Sequence, residues 1–392
     1  MPRLLQFLAF FAVACLVVGG GHYYLWTRLV RDPALTGPWA RALTASIAGL
    51  AVALPLTLIG SRFFQGASAR PLLFLAFSWM GIGFILGSLF FVTDLGRWLV
   101  ELSLWLAALL GSGPAQPRDP ARRVLIARVL AGVVSGAGLG LSAWSLREAL
   151  GALRVAEVEV KLRNLPAALG GFKIVQISDV HIGPLLHRAW LQEVVDRIQA
   201  LQPDLIVITG DLVDGSVEQL RDHVEPLRQL SAPRGVFFVT GNHEYYSGAD
   251  EWLAHLPSLG VRPLRNQHLE IAPGLDLAGI DDLMAHLPGH GPDLTRALAG
   301  RDPARPLVLL AHQPRQFLEA AAKGVHLTLS GHTHGGQIFP FTWLVGLVQP
   351  YVAGLHRKGD SQLYVSRGTG FWGPPLRLAA PSEITLIRLQ PA

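Results

Sequence analysis

The chain has 392 residues, half of them hydrophobic and 16% charged, with 33 Lys and Arg against 28 Asp and Glu for a formal net charge of +5. That balance is too apolar for an ordinary soluble protein and points to membrane segments in a chain long enough for about two to three domains. The arginines are scattered, with no basic stripe interleaved with aromatics, which argues against nucleic acid as a partner, and the single cysteine, Cys15, allows no intrachain disulfide.

Apolar character is concentrated at the start of the chain. Residues 4–26, 42–61 and 71–93 contain no Asp, Glu, Lys or Arg, and each is long enough to cross a hydrocarbon core of about 30 Å as a helix. Residues 98–111 are interrupted by Glu101 and residues 124–146 by Arg128, so these two are weaker spans. Residues 1–146 therefore read as a transmembrane region of four or five helices, with five preferred. The basic, apolar start would suit a cleaved signal peptide, but the further apolar runs downstream make it a retained anchor. Arg28, Arg31, Arg62 and Arg70 nearly balance across the early loops, whereas Arg118, Arg122 and Arg123 precede the last span. That cluster favours a cytoplasmic loop there and places everything after Ser145 outside the cytoplasm.

Composition changes near Arg147. Residues 147–170 read as a linker with a lead-in strand, and residues 171–392 as a catalytic domain. Short apolar runs begin with "FKIVQIS" at Phe172, "DLIVIT" at Asp204 and "GVFFVT" at Gly235, followed by "LDLAGI", "PLVLLA", "HLTLS", "LYVS" and "EITLIRL". Amphipathic helices are expected over 189–201 and 217–230. Such alternation implies an α/β or α+β domain with largely buried strands.

The turns at the strand ends carry the chemistry. "SDVHIG" supplies Asp179 and His181, "GDLVDG" supplies Asp211 and Asp214, and "GNHEYY" supplies Asn242, His243 and Glu244. "LLAHQP" adds His312, and "LSGHTHGGQIFPF" adds His332 and His334 before running into an apolar stretch. Each cluster sits where a strand ends and the chain turns, the place where open α/β sheets bind ligands. Gly210, Gly241 and Gly331 suit the tight turns and close approaches such loops require. Carboxylates, imidazoles and an amide oxygen without cysteine suit Mn, Fe, Zn or a similar divalent ion, and there are too many for one tetrahedral zinc. Two ions need a shared carboxylate, for which Asp211 is the natural bridge. A pair so held activates water and neutralises charge on a phosphoryl group.

The order Asp-x-His, Gly-Asp, Gly-Asn-His-Glu, His and Gly-His-Thr-His resembles the calcineurin-like metallophosphoesterase superfamily. The whole chain is similar to its membrane-anchored branch, the transmembrane proteins with a metallophosphoesterase domain, and the tail "YVSRGTGFWGPPLRLAAPSEITLI" from Tyr364 shares that likeness. The resemblance implies a four-layer α-β-β-α domain after the helical membrane region. It also implies two divalent metal ions as cofactors. Asp179, His181, Asp211 and His334 would hold one ion, and Asp211, Asn242, His312 and His332 the other. By the same likeness His243 would stand over the phosphate as a catalytic group rather than a ligand.

Glu244 and Asp214 read equally well as ligand-orienting partners or as solvated loop residues. Arg315, Arg367 and Arg377 are possible phosphate clamps, although surface or packing roles account for them more simply. His187, His223, His255, His268, His286, His290, His326 and His356 lie outside the motifs, and Asp281 and Asp282 read as strand-end turn residues or site rim. The run "IFPFTWLVGLVQPYVAGL", residues 338–355, is either a cover packed on the sheet or a lip that meets membrane lipid or acyl chains.

The expected activity is hydrolysis of a phosphoester or pyrophosphate, with a phosphorylated, lipid-linked substrate preferred. Related family members suggest a UDP-2,3-diacylglucosamine-type pyrophosphate, which requires a cytoplasm-facing domain and hence four spans or the inverted topology. The expected location is a bacterial inner membrane. Two alternatives stand beside it: a broad phosphodiesterase or phosphatase acting on soluble substrates, and a non-enzymatic metal-binding membrane sensor.

Overall fold

The computed structural model describes residues 2–60, 69–110, 119–285 and 289–392, so Arg62, Arg118 and His286 lie outside the described residues. The chain divides into two compact units, Met1–Leu146 and Arg147–Ala392.

Among the described residues the first unit contains four α-helices: α1 (Pro2–Trp26), α2 (Gly37–Gly60), α3 (Arg70–Leu109) and α4 (Pro120–Leu150), the last running on into the second unit. Three of these, α2, α3 and α4, are long and apolar enough to cross a membrane. The segments 71–93 and 98–111, expected as separate spans, are joined in α3. Asp94-Leu95-Gly96-Arg97 contains no proline to break the helix, and Asp94 is held by the Tyr24 hydroxyl and by Arg28 Nη2 at 2.8 Å. At 1.5 Å per residue the 40-residue helix is roughly 60 Å long. That is about twice a hydrocarbon core.

Among the described residues the second unit contains two six-stranded sheets. The first is built from β1 (Arg154–Leu162), β2 (Lys173–Ile177), β3 (Leu205–Ile208), β4 (Val236–Phe238), β5 (Val261–Pro263) and β12 (Glu383–Pro391), in the order β1-β12-β2-β3-β4-β5. The second is built from β6 (Gln267–Ala272), β7 (Leu275–Gly279), β8 (Leu307–Leu310), β9 (Leu327–Ser330), β10 (Gly354–Lys358) and β11 (Ser361–Val365), in the order β10-β11-β9-β8-β7-β6. The central strands are continuous apolar runs with every residue buried, as in "LIVI" of β3 and "LVLL" of β8. Such runs suit parallel pairing between covered faces.

The two sheets share one core. Ile174, Leu205, Val207 and Phe237 of the first pack with Leu277, Val308, Leu310, Leu327 and Leu329 of the second. Leu191, Val194, Val195 and Ile198 of α5 (Arg188–Ala200), with Leu220 and Val224 of α6 (Val217–Val224), cover the outer face of the first sheet. Leu294 and Ala297 of α9 (Leu294–Ala297) and Ala320 of α10 (Phe317–Ala322) cover the second. The intervening short helices are α7 (Asn242–Ser247), α8 (Ala249–His255), α9 (Leu294–Ala297) and α10 (Phe317–Ala322). The result is the four-layer α-β-β-α arrangement. Each fully buried Leu, Ile or Phe contributes about 1.5–3 kcal/mol, so this double core holds the strand ends rigidly. The expected helix over 217–230 is split, because Pro226 cannot supply the N–H an α-helix needs there and the chain tightens into a 3₁₀ turn over Glu225–Gln229.

Residues 338–355 are anchored through buried Ile338 and Gln349, but the segment between these anchors is not a packed cover. It contains α11 (Phe341–Val348), none of whose residues is buried, with Trp343 68% and Leu347 83% exposed.

Candidate metal centre

The loops after β2, β3, β4, β8 and β9 meet at one end of the two sheets. Backbone hydrogen bonds stitch them together: Asp179 N donates to Gly210 O, His181 N to Asp211 O, and Gly331 N to His312 O. Below them Gln176 Nε2, on β2, donates to Thr209 Oγ1 at 2.9 Å and to Ser330 O of β9 at 3.0 Å, tying one sheet to the other. Three glycines are required here by close approach, and a Cβ on Gly210 would lie 2.6 Å from His312 Nδ1. A Cβ on Gly241 would lie 2.2 Å from Asp211 Oδ1, and one on Gly331 would lie 1.9 Å from Ser178 Oγ and 2.2 Å from Asp179 Oδ2.

Five of the seven candidate ligands, Asp179, His181, Asp211, His332 and His334, adopt positive φ between 51° and 73°. Few non-glycine residues do so, and such backbone persists only where its surroundings impose it. The consequence is a set of side chains turned inward from strand ends.

The seven candidate ligands are brought together. His181 Nε2 faces His334 Nε2 at 3.0 Å, and His334 Nε2 lies 3.5 Å from Asp179 Oδ1. Asp211 Oδ1 accepts from His243 N at 2.9 Å, which leaves Oδ2 between His312 Nε2, 3.2 Å away, and His181 Nε2, 4.0 Å away. Asn242 Oδ1 is 3.2 Å from His312 Nε2, and the His332 ring packs edge-on against His312 with centroids 5.1 Å apart. Asp179, His181 and His334 thus converge in one group and Asp211, His312 and His332 in another. Ring nitrogens and carboxylate oxygens this close repel one another unless a proton or cation lies between them, so the donor set fits a divalent ion.

Electrostatics separates the roles. Burial pushes the Asp211 carboxyl up, but His312, His243 and His181 outweigh it and hold it well below the usual carboxylate range. Burial pulls the His243 imidazole down, and the hydrogen bond to Asp214 with the charges of Asp211, Asp214 and Glu244 raises it to about 9. His332 is pushed down to about 3 by burial and by the neighbouring His312. His243 also converges with His181 and Asp211, yet its Nδ1 is bonded to Asp214 Oδ1 at 2.5 Å.

The sequence profile of the calcineurin-like phosphoesterases matches residues 172–336. The "Transmembrane protein with metallophosphoesterase domain" of Danio rerio is 36% identical over 406 residues, which cover 99% of this chain and 90% of that protein. The protein of the same name from Bos taurus is 37% identical over 391 residues, 95% of this chain and 87% of its own. The chain belongs to the calcineurin-like phosphoesterase family. An uncharacterized metallophosphoesterase of Helicobacter pylori is 40% identical over 247 residues, 62% of this chain and 66% of that one. As a calcineurin-like phosphoesterase this chain is a metal-dependent phosphoesterase, and its apolar helices together with the transmembrane relatives make it a membrane protein.

Several residues of this phosphoesterase are decided by the fold. Asp214, which sequence left between ligand orientation and solvation, also receives His181 Nδ1 at 3.1 Å. Glu244 is buried, and its carboxylate accepts from three backbone N–H groups: Asp211 at 3.0 Å, Leu212 at 2.8 Å and Gly241 at 2.6 Å. It clamps the two loops rather than facing solvent. Arg367 is engaged by Glu383, with Nη1 3.2 Å from Oε2, and Arg377 is buried under the site. Arg315 is exposed on the turn after His312, and its charge helps to lower His332. Asp282 is buried beside the site and receives Gln313 Nε2 at 3.0 Å, while Asp281 pairs with Arg265. Gln176, whose amide joins the two sheets, carried no signal in sequence beyond a polar residue in an apolar run.

Proposed function

We propose that this chain hydrolyses phosphoester or pyrophosphate bonds of a lipid-linked substrate with two divalent ions, the membrane unit confining enzyme and substrate to one surface. The observation that carries the lipid preference is α11. It begins seven residues after His334 and presents Phe341, Trp343, Leu344, Leu347 and Val348, with Phe339 before it, as exposed apolar side chains. An apolar helix exposed beside a phosphate-processing centre matches an acyl or prenyl chain better than a soluble nucleotide. A UDP-2,3-diacylglucosamine-type pyrophosphate is the specific candidate, and a bacterial inner membrane is the location that candidate implies.

In this reading Asp179, His181, Asp211 and His334 would hold one ion, and Asp211, Asn242, His312 and His332 the other, with the Asp211 carboxylate common to both. When bound, such ions supply an activated water and neutralise charge on the phosphoryl oxygens. His243, protonated with its Nδ1 held by Asp214, delivers a proton from Nε2 to the departing oxygen. Asp214 holds both imidazoles in one orientation, and Glu244 fixes the loops that carry Asp211 and Asn242. Mn, Fe and Zn all suit the donors.

The test is purification of the full chain in detergent, loading with Mn²⁺, and measurement of phosphate or nucleotide release from lipid-linked diesters and pyrophosphates beside soluble nucleotides, with Asp211→Asn as control. Preferential cleavage of a lipid-linked member is expected. Equal or better cleavage of the soluble members overturns the lipid assignment, and absence of turnover with any metal overturns the catalytic one.

A further inference from the structure

Ligand imidazoles in metal sites almost always donate their second ring N–H to a carboxylate, a backbone carbonyl or water, which leaves the first nitrogen's lone pair for the ion. Two histidines here obey that pattern. His181 Nδ1 is 3.1 Å from the Asp214 carboxylate, and His312 Nδ1 is 2.7 Å from Thr209 O. His334 departs from it. Its Nδ1 lies 3.2 Å from Arg377 Nη2, and a guanidinium offers only donors.

The contact is built into the fold. Arg377 comes 43 residues after His334 in the chain and beyond the residues matched to the family profile, yet it is only 1% exposed. Its Nη1 donates to His334 O at 3.0 Å, Arg367 O at 2.7 Å and Ala380 O at 3.2 Å, and its Nη2 also donates to Gly370 O. The loop that passes between the two residues has glycine where a side chain would part them. A Cβ on Gly368 would stand 3.2 Å from Nη2 and 3.3 Å from His334 Nδ1, and the φ there is +82°. The other ring nitrogen, Nε2, faces His181 and Asp179. An ion at Nε2 would stand across one imidazole ring from a buried guanidinium that four carbonyls hold in place, and that positive charge opposes it. Neither His181 nor His312 imposes such a cost.

We propose that Arg377 is a positioning residue that makes the two ion positions unequal, so that the Asp179, His181 and His334 position takes its ion more weakly than the Asn242, His312 and His332 position. The inference rests on the two-ion reading of the site. The weaker position is the one vacated first when metal is scarce. Arg377 then governs the metal concentration at which the enzyme becomes active.

The experiment is calorimetric titration of Mn²⁺ into the metal-stripped full chain in detergent, with bound metal counted by elemental analysis. Two binding steps are expected, separated by about ten- to hundredfold, the span that partners of ligand histidines typically govern. Arg377→Gln, whose amide oxygen can accept Nδ1–H, should close that gap, whereas Arg377→Lys, which keeps a cationic donor, should preserve it. His334→Ala should remove the weaker step and His332→Ala the tighter one, a comparison that holds even if Arg377→Gln fails to fold. Two steps of equal affinity in the unaltered chain, an unchanged gap in Arg377→Gln, or the opposite assignment from the alanine pair overturns the inference. Fewer than two ions bound overturns the two-ion reading beneath it.

Discussion

Asp214 Oδ1 lies 2.5 Å from His243 Nδ1, and the same carboxylate lies 3.1 Å from His181 Nδ1. One side chain therefore orients both a candidate metal ligand and the residue assigned to protonate the leaving group. Burial pushes this carboxylate up, but the two imidazoles it serves outweigh that and hold it well below its usual range, so it remains charged throughout the working pH range.

The first prediction concerns pH. His243 acts as an acid while protonated, and its surroundings raise it to about 9, so kcat should hold as pH rises and fall through about that value. In Asp214→Asn the principal partner that raises the imidazole is lost. The alkaline limb should then move down toward the ordinary His value of about 6.5. A kcat–pH profile of the metal-loaded variant with an unchanged alkaline limb would sink the assignment of His243 as the acid.

Asp211→Asn should abolish turnover, with a loss of about a thousandfold or more, because the variant removes the carboxylate that, among the described residues, is placed to be shared. Circular dichroism should show the fold retained, and elemental analysis should find bound metal reduced. Full metal content with normal turnover would exclude Asp211 as the bridge.

Glu244 accepts from three buried backbone N–H groups. Glu244→Ala leaves all three unpaired, at about 1–3 kcal/mol for each unsatisfied group. A clear drop in Tm and loss of activity are expected together. A variant as stable as the parent would show that the clamp is dispensable.

Replacing Trp343, Leu344 and Leu347 together by Ser removes most of the exposed apolar surface of α11. Since none of α11 is buried, the fold should persist. kcat/KM for a lipid-linked substrate should fall about tenfold, equivalent to roughly 1.4 kcal/mol, with soluble substrates unaffected. An equal effect on both classes would return α11 to a purely structural role.

Chain-local signals made most of the catalytic domain legible. Short apolar runs bounded by glycine and polar turns marked β2, β3, β4, β7, β8, β9, β11 and β12 because a fully buried strand needs nothing but its own side chains to declare itself. The motif residues from Asp179 to His334 stood out because their types and order are chemically unusual wherever they occur. In the same way, uncharged runs long enough to cross a bilayer announced a membrane region. The interval between residues 93 and 98 reads as a boundary in hydropathy alone, whereas in the fold Tyr24 and Arg28 satisfy Asp94 and the helix runs through.

Tertiary structure decided the rest, since partnership across the chain is written in no window of sequence. Positive φ at Asp179, His181, Asp211, His332 and His334 is imposed by loops locked to one another across two sheets. Whether Asp214 and Glu244 met solvent or their neighbours depended on which loop packed over them. Residues 338–355 looked alike as a cover or a lip until the fold left α11 exposed. Arg377 could be taken for a surface or packing residue or a phosphate clamp until the returning tail buried it beneath His334, where four carbonyls, three of them from residues further off in the chain, stabilise its charge.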